Sequence, residues 1–153
     1  MKKNVNFKEI SAHNTPNQSP GFLLWHISTS WRSSIGAILK PIGLTHPQFV
    51  VLATLGWLTK KEKLVTQAAI GKMAGIDPNT ISQIIRGLEL KALVKRESSS
   101  DRRAKNPTLT CTGTKIVNKA LPAVEEADNQ FFSKINQKET KDMIHIFQKL
   151  AFD

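Results

Sequence analysis

The sequence predicts a mainly α fold with a small β-hairpin wing, a winged helix-turn-helix carrying additional helices at both its N- and C-terminal ends. Three observations predict it. Between Thr66 and Lys91 a short helix, a glycine turn and a second helix with one apolar stripe follow one another. Two β-favouring segments around a polar, basic stretch come directly afterwards. Amphipathic helical periods on either side then exceed what such a lobe needs for its own core.

Taken in order, residues 1–19 read as a polar extension in which Asn14-Thr15-Pro16-Asn17-Gln18 acts as a breaker, while Val5, Phe7 and Ile10 support only a brief strand or helix. Ser19-Pro20 opens a helix whose Leu24, Ile27, Trp31, Ile35 and Ile38 form one stripe, ending before Pro41. Thr45-His46-Pro47-Gln48 matches a capping box, with threonine at N-cap and glutamine at N3. The helix it starts carries Val51, Leu52, Leu55 and Leu58 and is apolar on several sides, so it belongs at the centre.

Thr66 caps a helix from Gln67 to Ala74, with Ala69, Ile70, Met73 and Ala74 as its apolar side and Gly71 allowing close backbone approach. Gly75 ends it in a left-handed conformation. Asp77-Pro78 then starts the second helix, the aspartate accepting from free first-turn N–H groups and proline sitting where no donor is needed. Ile81, Ile84, Ile85 and Leu88 fall at i, i+3, i+4 and i+7 and must be buried. The opposite face carries Pro78, Asn79, Thr80, Ser82, Gln83 and Arg86, groups suited to base edges and phosphates. Thr66 and Gln67, at the start of the preceding helix, join this DNA-binding set. Taken alone, the pair equally fits a plain αα-corner.

The segment after the second helix favours the DNA reading. Leu93–Arg96 and Thr108–Thr110 read as strands separated by a tip, residues 97–106, without a large apolar residue. Pro107 cannot donate to a ladder and needs an edge. The tip carries Arg102, Arg103 and Lys105 away from the body, where a narrow minor groove attracts arginine. Thr110 caps a long helix bearing Ile116, Val117, Ala120, Val124, Ala127, Phe131 and Ile135, with a kink expected at Pro122. Asn136–Glu139 offers another cap, and Met143, Phe147 and Leu150 define a last helix.

The surplus helices divide the chain into a polar extension (1–19), a helical dimerisation region (20–59 and 111–153) and a DNA-binding lobe (60–110). A two-fold pair would read two half-sites of a palindromic or pseudo-palindromic operator about 34–36 Å apart, which one recognition helix cannot. The alternative is an intramolecular bundle capping the lobe.

Charge agrees with a polyanionic partner. The chain has 153 residues and a net charge of +10, and residues 60–115 hold 12 Lys/Arg against 5 Asp/Glu, a net of +7. The C-terminal stretch from 116 onwards has 5 against 6. RNA or a membrane surface would suit the composition equally. There is no run of 18 apolar residues for a membrane span and no segment resembling a secretion signal, so the expected location is the cytoplasm. One cysteine excludes an internal disulfide. Cys111, beside a helix cap, has a setting that can favour oxidation, although an ordinary small residue is the simpler reading. His13, His26, His46 and His145 are scattered without ligand spacing, and the eight glycines occur singly, so neither a metal site, a phosphate loop, a cofactor nor an enzyme is expected.

The order of elements resembles the MarR family of bacterial transcription regulators. The residues carrying the resemblance are Leu44-Thr45-His46-Pro47-Gln48-Phe49-Val50-Val51-Leu52, similar to the family's LT-x-x-Q-x-x-x-L segment, Asp101-Arg102-Arg103, similar to its D-x-R wing signature, and Leu109-Thr110-Cys111-Thr112-Gly113, similar to LT-x-x-G. The likeness spans about residues 21–150. It implies that Asp101 braces the wing, that Arg103 enters the minor groove, and that the helix from Pro78 to Lys91 sits in the major groove of double-stranded DNA. It also implies a homodimer built from the first, fifth and sixth helices, and repression released by a small, often aromatic, ligand. Trp25, His26, Trp31 and Trp57 are the aromatic residues available to line such a cavity, although aromatic residues at helical spacing equally form core. Peroxide-sensing relatives carry their reactive cysteine in the first helix, where this chain has none. Two departures concern the wing: Ala92 stands where the family usually has glycine, and Pro107 is unusual in the return strand. The competing reading is a winged-helix RNA-binding or protein-interaction module.

Overall fold

The computed structural model describes residues 4–61, 64–98 and 105–152. The N-terminal extension contains only a four-residue helix, α1 (Phe7–Ile10), and a 3-10 turn at Pro16–Gln18, and neither buries a residue. Ser19 accepts from the Phe22 N–H and opens α2 (Pro20–Leu39). A 3-10 turn at Lys40–Ile42 and left-handed Gly43 (φ 79°) turn the chain into α3 (His46–Thr59). The capping box is complete: Thr45 Oγ1 accepts from Gln48 N at 3.3 Å, and Gln48 Oε1 accepts from Thr45 N at 3.2 Å.

Helix α3 is the core. Phe49, Val51, Leu52, Thr54 and Leu55 are buried along it, and it packs against α2 as well as α4 (Gln67–Ala74), α5 (Pro78–Leu90), β2 (Lys105–Leu109) and α6 (Cys111–Phe131). Strand β1 (Val94–Ser98) pairs antiparallel with β2, from Val94 opposite Leu109 to Ser98 opposite Lys105. The strands therefore reach further into the polar stretch than expected, because ladder hydrogen bonds come from the backbone and do not need apolar side chains. The sheet has two strands, so each has an unpaired edge, the setting a proline needs, and Pro107 is fully buried opposite Arg96.

Helix α5 is held by its stripe. Ile81, Ile85 and Leu88 are fully buried and Ile84 packs on the same core. Thirteen residues are marginal as an isolated helix, so burial of these side chains, about 1.5–3 kcal/mol each, decides its stability. In α4, Ile70 and Gly71 are buried, and a Cβ at Gly71 would lie 2.9 Å from the Ile76 carbonyl, so the close approach read from sequence is needed there. Met73, expected on the apolar side, is half exposed, because it lies at the rim of a stripe centred on Ile70.

The wing base is built on two backbone devices. Helix α5 ends in a Schellman-type closure, with Leu93 N donating to Leu88 O and Ala92 N to Glu89 O, both at 2.9 Å. Ala92 occupies the left-handed position (φ 54°) where glycine is usual. Thr110 Oγ1 then donates to Ala92 O at 2.7 Å and accepts from Gly113 N at 2.9 Å, while Thr110 N donates to Leu93 O at 3.1 Å. A Cβ on Gly113 would fall 2.0 Å from Leu93 O, so only glycine permits this contact.

The long helix stops at Phe131 rather than continuing through Ile135, because Asn136 Oδ1 accepts from Lys138 N and Glu139 N while Glu139 Oε2 accepts from Asn136 N, starting α7 (Gln137–Phe152) afresh. Helix α7 buries no residue. The outer half of α2 is similar: Ile35 and Leu39 are buried, whereas Phe22, Leu24, Trp25 and Ile27 are exposed. Among the described residues no single helix is long and apolar enough to cross a membrane; α2 with its following turn, joined to α3, passes by length and composition but is bent by 79°.

Three helices meet at Trp31. Its Nε1 donates to Asp128 Oδ1 of α6 at 2.7 Å, and its ring meets the His46 ring of α3 edge-on at 5.0 Å. Partial burial, and after it the Arg32 charge, push the His46 pKa below its ordinary 6.5, with Asp128 opposing. The native state thus favours neutral His46, so its contribution to stability is present above that value and is lost as pH falls through the lower native pKa.

Substitutions at the wing base test these contacts. Gly113→Ala should cost about 3 kcal/mol in denaturant unfolding, whereas Ala92→Gly should gain about 0.5–1 kcal/mol, the left-handed strain outweighing the added freedom of the unfolded chain. A Gly113→Ala protein as stable as wild type would contradict the close contact with Leu93. Between about pH 7.5 and pH 5.5 wild-type stability should fall more steeply than that of His46→Gln; parallel curves would show that His46 is not the group responsible.

Candidate nucleic-acid interface

The N-terminus of α5 is organised by Asp77. Its Oδ1 accepts from Asn79 N at 3.1 Å and Thr80 N at 3.0 Å, and its Oδ2 accepts from Thr80 Oγ1 at 2.5 Å. The hydrogen bonds from the Thr80 hydroxyl and then from backbone N–H groups hold the Asp77 carboxyl below the usual carboxylate range, so the cap is ionised at neutral pH. Thr80 therefore spends its hydroxyl hydrogen on the cap and keeps only acceptor capacity for a ligand.

Beyond the cap, Pro78, Asn79, Gln83 and Arg86 are exposed and Ser82 is half-buried. They occupy the face opposite Ile81, Ile85 and Leu88, as the helical period requires. Arg86 has no ion pair or hydrogen bond among the described residues, so its five donors are available. Thr66 at the start of α4 accepts from Ala69 N at 3.1 Å, its hydroxyl hydrogen having no acceptor among the described residues, and Gln67 beside it is half-buried.

Asp101, Arg102 and Arg103 lie outside the described residues, and Lys105 is the first residue of β2. At the wing base, Arg96 Nε lies 3.1 Å from Glu89 Oε2, which ties β1 to α5. Lys91, at the end of α5, donates to Gly43 O at 2.7 Å and to Gln48 Oε1 at 2.9 Å. Neither connection was visible in the sequence, where both residues counted only as positive charge.

A second feature lies away from this face. A groove of about 970 Å³ runs between α2, the end of α6 and α7, with Leu24, Trp31, Phe132, Met143 and Phe147 among its apolar lining and Asp128 and Lys141 among its polar lining. Of the four aromatic residues put forward from sequence, Trp31 lines it. Trp25 is 70% exposed, His26 stacks on Phe22 with ring centroids 6.3 Å apart, and Trp57 is 52% exposed with Lys60 Nζ 4.6 Å above its ring. The groove lining from α6 and α7 escaped sequence reading because those residues read as helix stripe.

The arrangement has counterparts among known proteins. The chain is 36% identical over 125 residues to the HTH-type transcriptional regulator YdcH of Bacillus subtilis, covering 81% of this chain and 85% of that protein. It is 28% identical over 134 residues to the HTH-type transcriptional repressor Rv2887 of Mycobacterium tuberculosis, covering 87% and 94%. The structure of Rv2887 with p-aminosalicylic acid has a TM-score of 0.67 at 26% identity, over 87% of this chain and 98% of that one, and Rv2887 has also been solved in complex with DNA. CouR of Rhodococcus jostii bound to p-coumaroyl-CoA has a TM-score of 0.80 at 26% identity, over 92% and 96%. YdcH and Rv2887 are both named as transcriptional regulators. The profile of the MarR family matches residues 42–104, and with the likeness to YdcH across most of both chains it establishes that this protein belongs to the MarR family of helix-turn-helix transcriptional regulators.

Proposed function

We propose that the protein is a homodimeric, sequence-specific regulator of double-stranded DNA, acting in the cytoplasm as a repressor that a small aromatic effector releases. The observation that carries the DNA reading is the outer face of α5, where Asn79, Gln83 and Arg86, the last unpaired among the described residues, stand exposed on a helix whose other face is locked into the core. Planar amides and a guanidinium at helical spacing suit base edges in the major groove. Thr66, Gln67 and Ser82 adjoin that face and suit positioning contacts with sugar and phosphate, while Pro78 and Thr80, which have no side-chain hydrogen to give, suit packing against the groove and, at Thr80, accepting from a base amino group. The wing, with Arg102, Arg103 and Lys105 and with Asp101 as brace, is proposed for the adjacent minor groove.

Dimerisation is supported by α7 and the outer half of α2. Phe22, Leu24, Ile27, Ile144, Phe147 and Leu150 are exposed in the single chain, and α7 has no buried residue. Water-exposed leucines and phenylalanines at this density need a partner surface, and helices at both chain ends are positioned to exchange it with a second copy. The two recognition helices would then address the half-sites of a palindromic or pseudo-palindromic operator. The naming of Rv2887 as a repressor and the aromatic ligands of its solved complex and of CouR support the remaining terms. Trp31 is the aromatic residue best placed to meet an effector in the groove, while Trp25, His26 and Trp57 lie on exposed positions.

Selection of bound fragments from random duplexes should recover an inverted repeat. On that duplex Arg86→Ala and Arg103→Ala should each cost about 1–3 kcal/mol of affinity while the protein stays folded and dimeric in sedimentation. The affinity should fall with salt at a log–log slope of about −0.9 per phosphate neutralised. A monomeric protein, a preference for RNA, or wild-type binding by both variants would overturn the proposal.

A further inference from the structure

We propose that Lys91 is a positioning residue: it clips the C-terminal end of the recognition helix to the corner between α2 and α3, and does not serve as a phosphate contact. This rests on the reading of α5 as the DNA-reading helix. A lysine at the exposed end of such a helix, in a stretch (residues 60–115) with a net charge of +7, would ordinarily be counted among the cations that neutralise the DNA backbone. Its geometry differs from that role. The ammonium donates to Gly43 O at 2.7 Å and to Gln48 Oε1 at 2.9 Å, which commits two of its three donors to the protein.

The acceptors are themselves fixed. Gly43 is the left-handed residue that turns the chain between α2 and α3, and its N–H is held by Lys40 O at 3.0 Å. Gln48 Oε1 also accepts from Thr45 N at 3.2 Å, closing the capping box of α3. One oxygen thus receives both the α3 cap and the α5 clip. One turn before Lys91, Gly87 faces the same glutamine: a Cβ there would lie 3.4 Å from Gln48 Nε2. Lys91 is itself the C-cap residue of α5, the end of the helix at which the dipole favours positive charge.

Without the clip the apolar stripe still holds α5 on the core, but the angle at which Asn79, Gln83 and Arg86 meet base edges loses a constraint at the end remote from the Asp77 cap. Specific binding then suffers more than nonspecific binding, because base contacts depend on orientation and phosphate contacts tolerate its loss.

The test uses the full-length protein with Lys91→Met, Gln48→Ala and the double variant, on the selected operator duplex and on a duplex of random sequence, across a series of potassium chloride concentrations. Thermal unfolding and sedimentation check fold and assembly. Lys91→Met should weaken operator binding about tenfold, leave the salt slope unchanged and barely alter affinity for the random duplex. Gln48→Ala should act in the same direction, and the double variant should be little worse than either single one, since both break one cluster. A slope reduced by roughly one unit, with both duplexes affected alike and the two substitutions additive, would make Lys91 a phosphate contact and overturn the proposal. Amide exchange gives a readout without DNA: Lys91→Met should speed exchange in the last turn of α5, and unchanged exchange there would also overturn it. If wild-type protein ignores both duplexes, the DNA reading fails while the exchange measurement still decides the clip.

Discussion

Helix α3 has almost no side to give to water, and the architecture comes from the need to cover it. Val51, Leu52 and Leu55 are completely buried, with Phe49 and Thr54 nearly so, and side chains pointing in those directions require neighbours all round. Helices α2, α4, α5 and α6 and the return strand of the wing each supply one. The recognition helix is therefore not an appendage on a scaffold. It is one wall of the core, and its outward face is defined by what its inward face must bury. In the proposed function, sequence specificity and stability share the same thirteen residues, divided by helical phase.

The wing depends on that core through few atoms. Ala92 reverses the chain after α5, Leu93 offers its carbonyl to Thr110 N, and Gly113 lets α6 begin against that carbonyl. Arg96 reaches back to Glu89 and adds a side-chain tie between strand and helix. Because these groups are mostly backbone, the wing base has little freedom relative to α5. Any movement of the recognition helix relative to α6 must carry the base of the hairpin with it, which couples the two elements proposed to enter adjacent grooves.

Much of this was legible from local rules. The caps at Ser19, Thr45, Thr66, Asp77, Thr110 and Asn136, the left-handed Gly75 and the Ile81–Leu88 stripe each depend on residues within one or two turns, so spacing alone reveals them. Ties between distant residues were not legible. Trp31 and Asp128 are 97 positions apart, and Lys91 is 48 and 43 positions from its two acceptors, separations that carry no periodic signal. The strand boundaries moved for a related reason: Glu97 and Asn106 pair through backbone atoms whose side chains advertise a loop. Wing residues 99–104 lie outside the described residues, so Asp101, Arg102 and Arg103 stand on the resemblance and on charge.

The distribution of charge has two separable consequences. The net +7 between residues 60 and 115 draws a polyanion over distances comparable with the Debye length, about 8 Å at physiological salt, and this long-range attraction depends on charge whether or not a side chain is engaged. Close contact depends instead on free donors. Arg96 is paired with Glu89, and Lys91 spends two of its three donors on Gly43 and Gln48. Counting cations therefore overstates the number of phosphates the lobe can neutralise, while still describing the field that brings DNA to it. Within that field Arg86 combines exposure, freedom from described partners and a place on the helix whose other face cannot move, which is the combination that base recognition needs and that a solvated surface charge lacks.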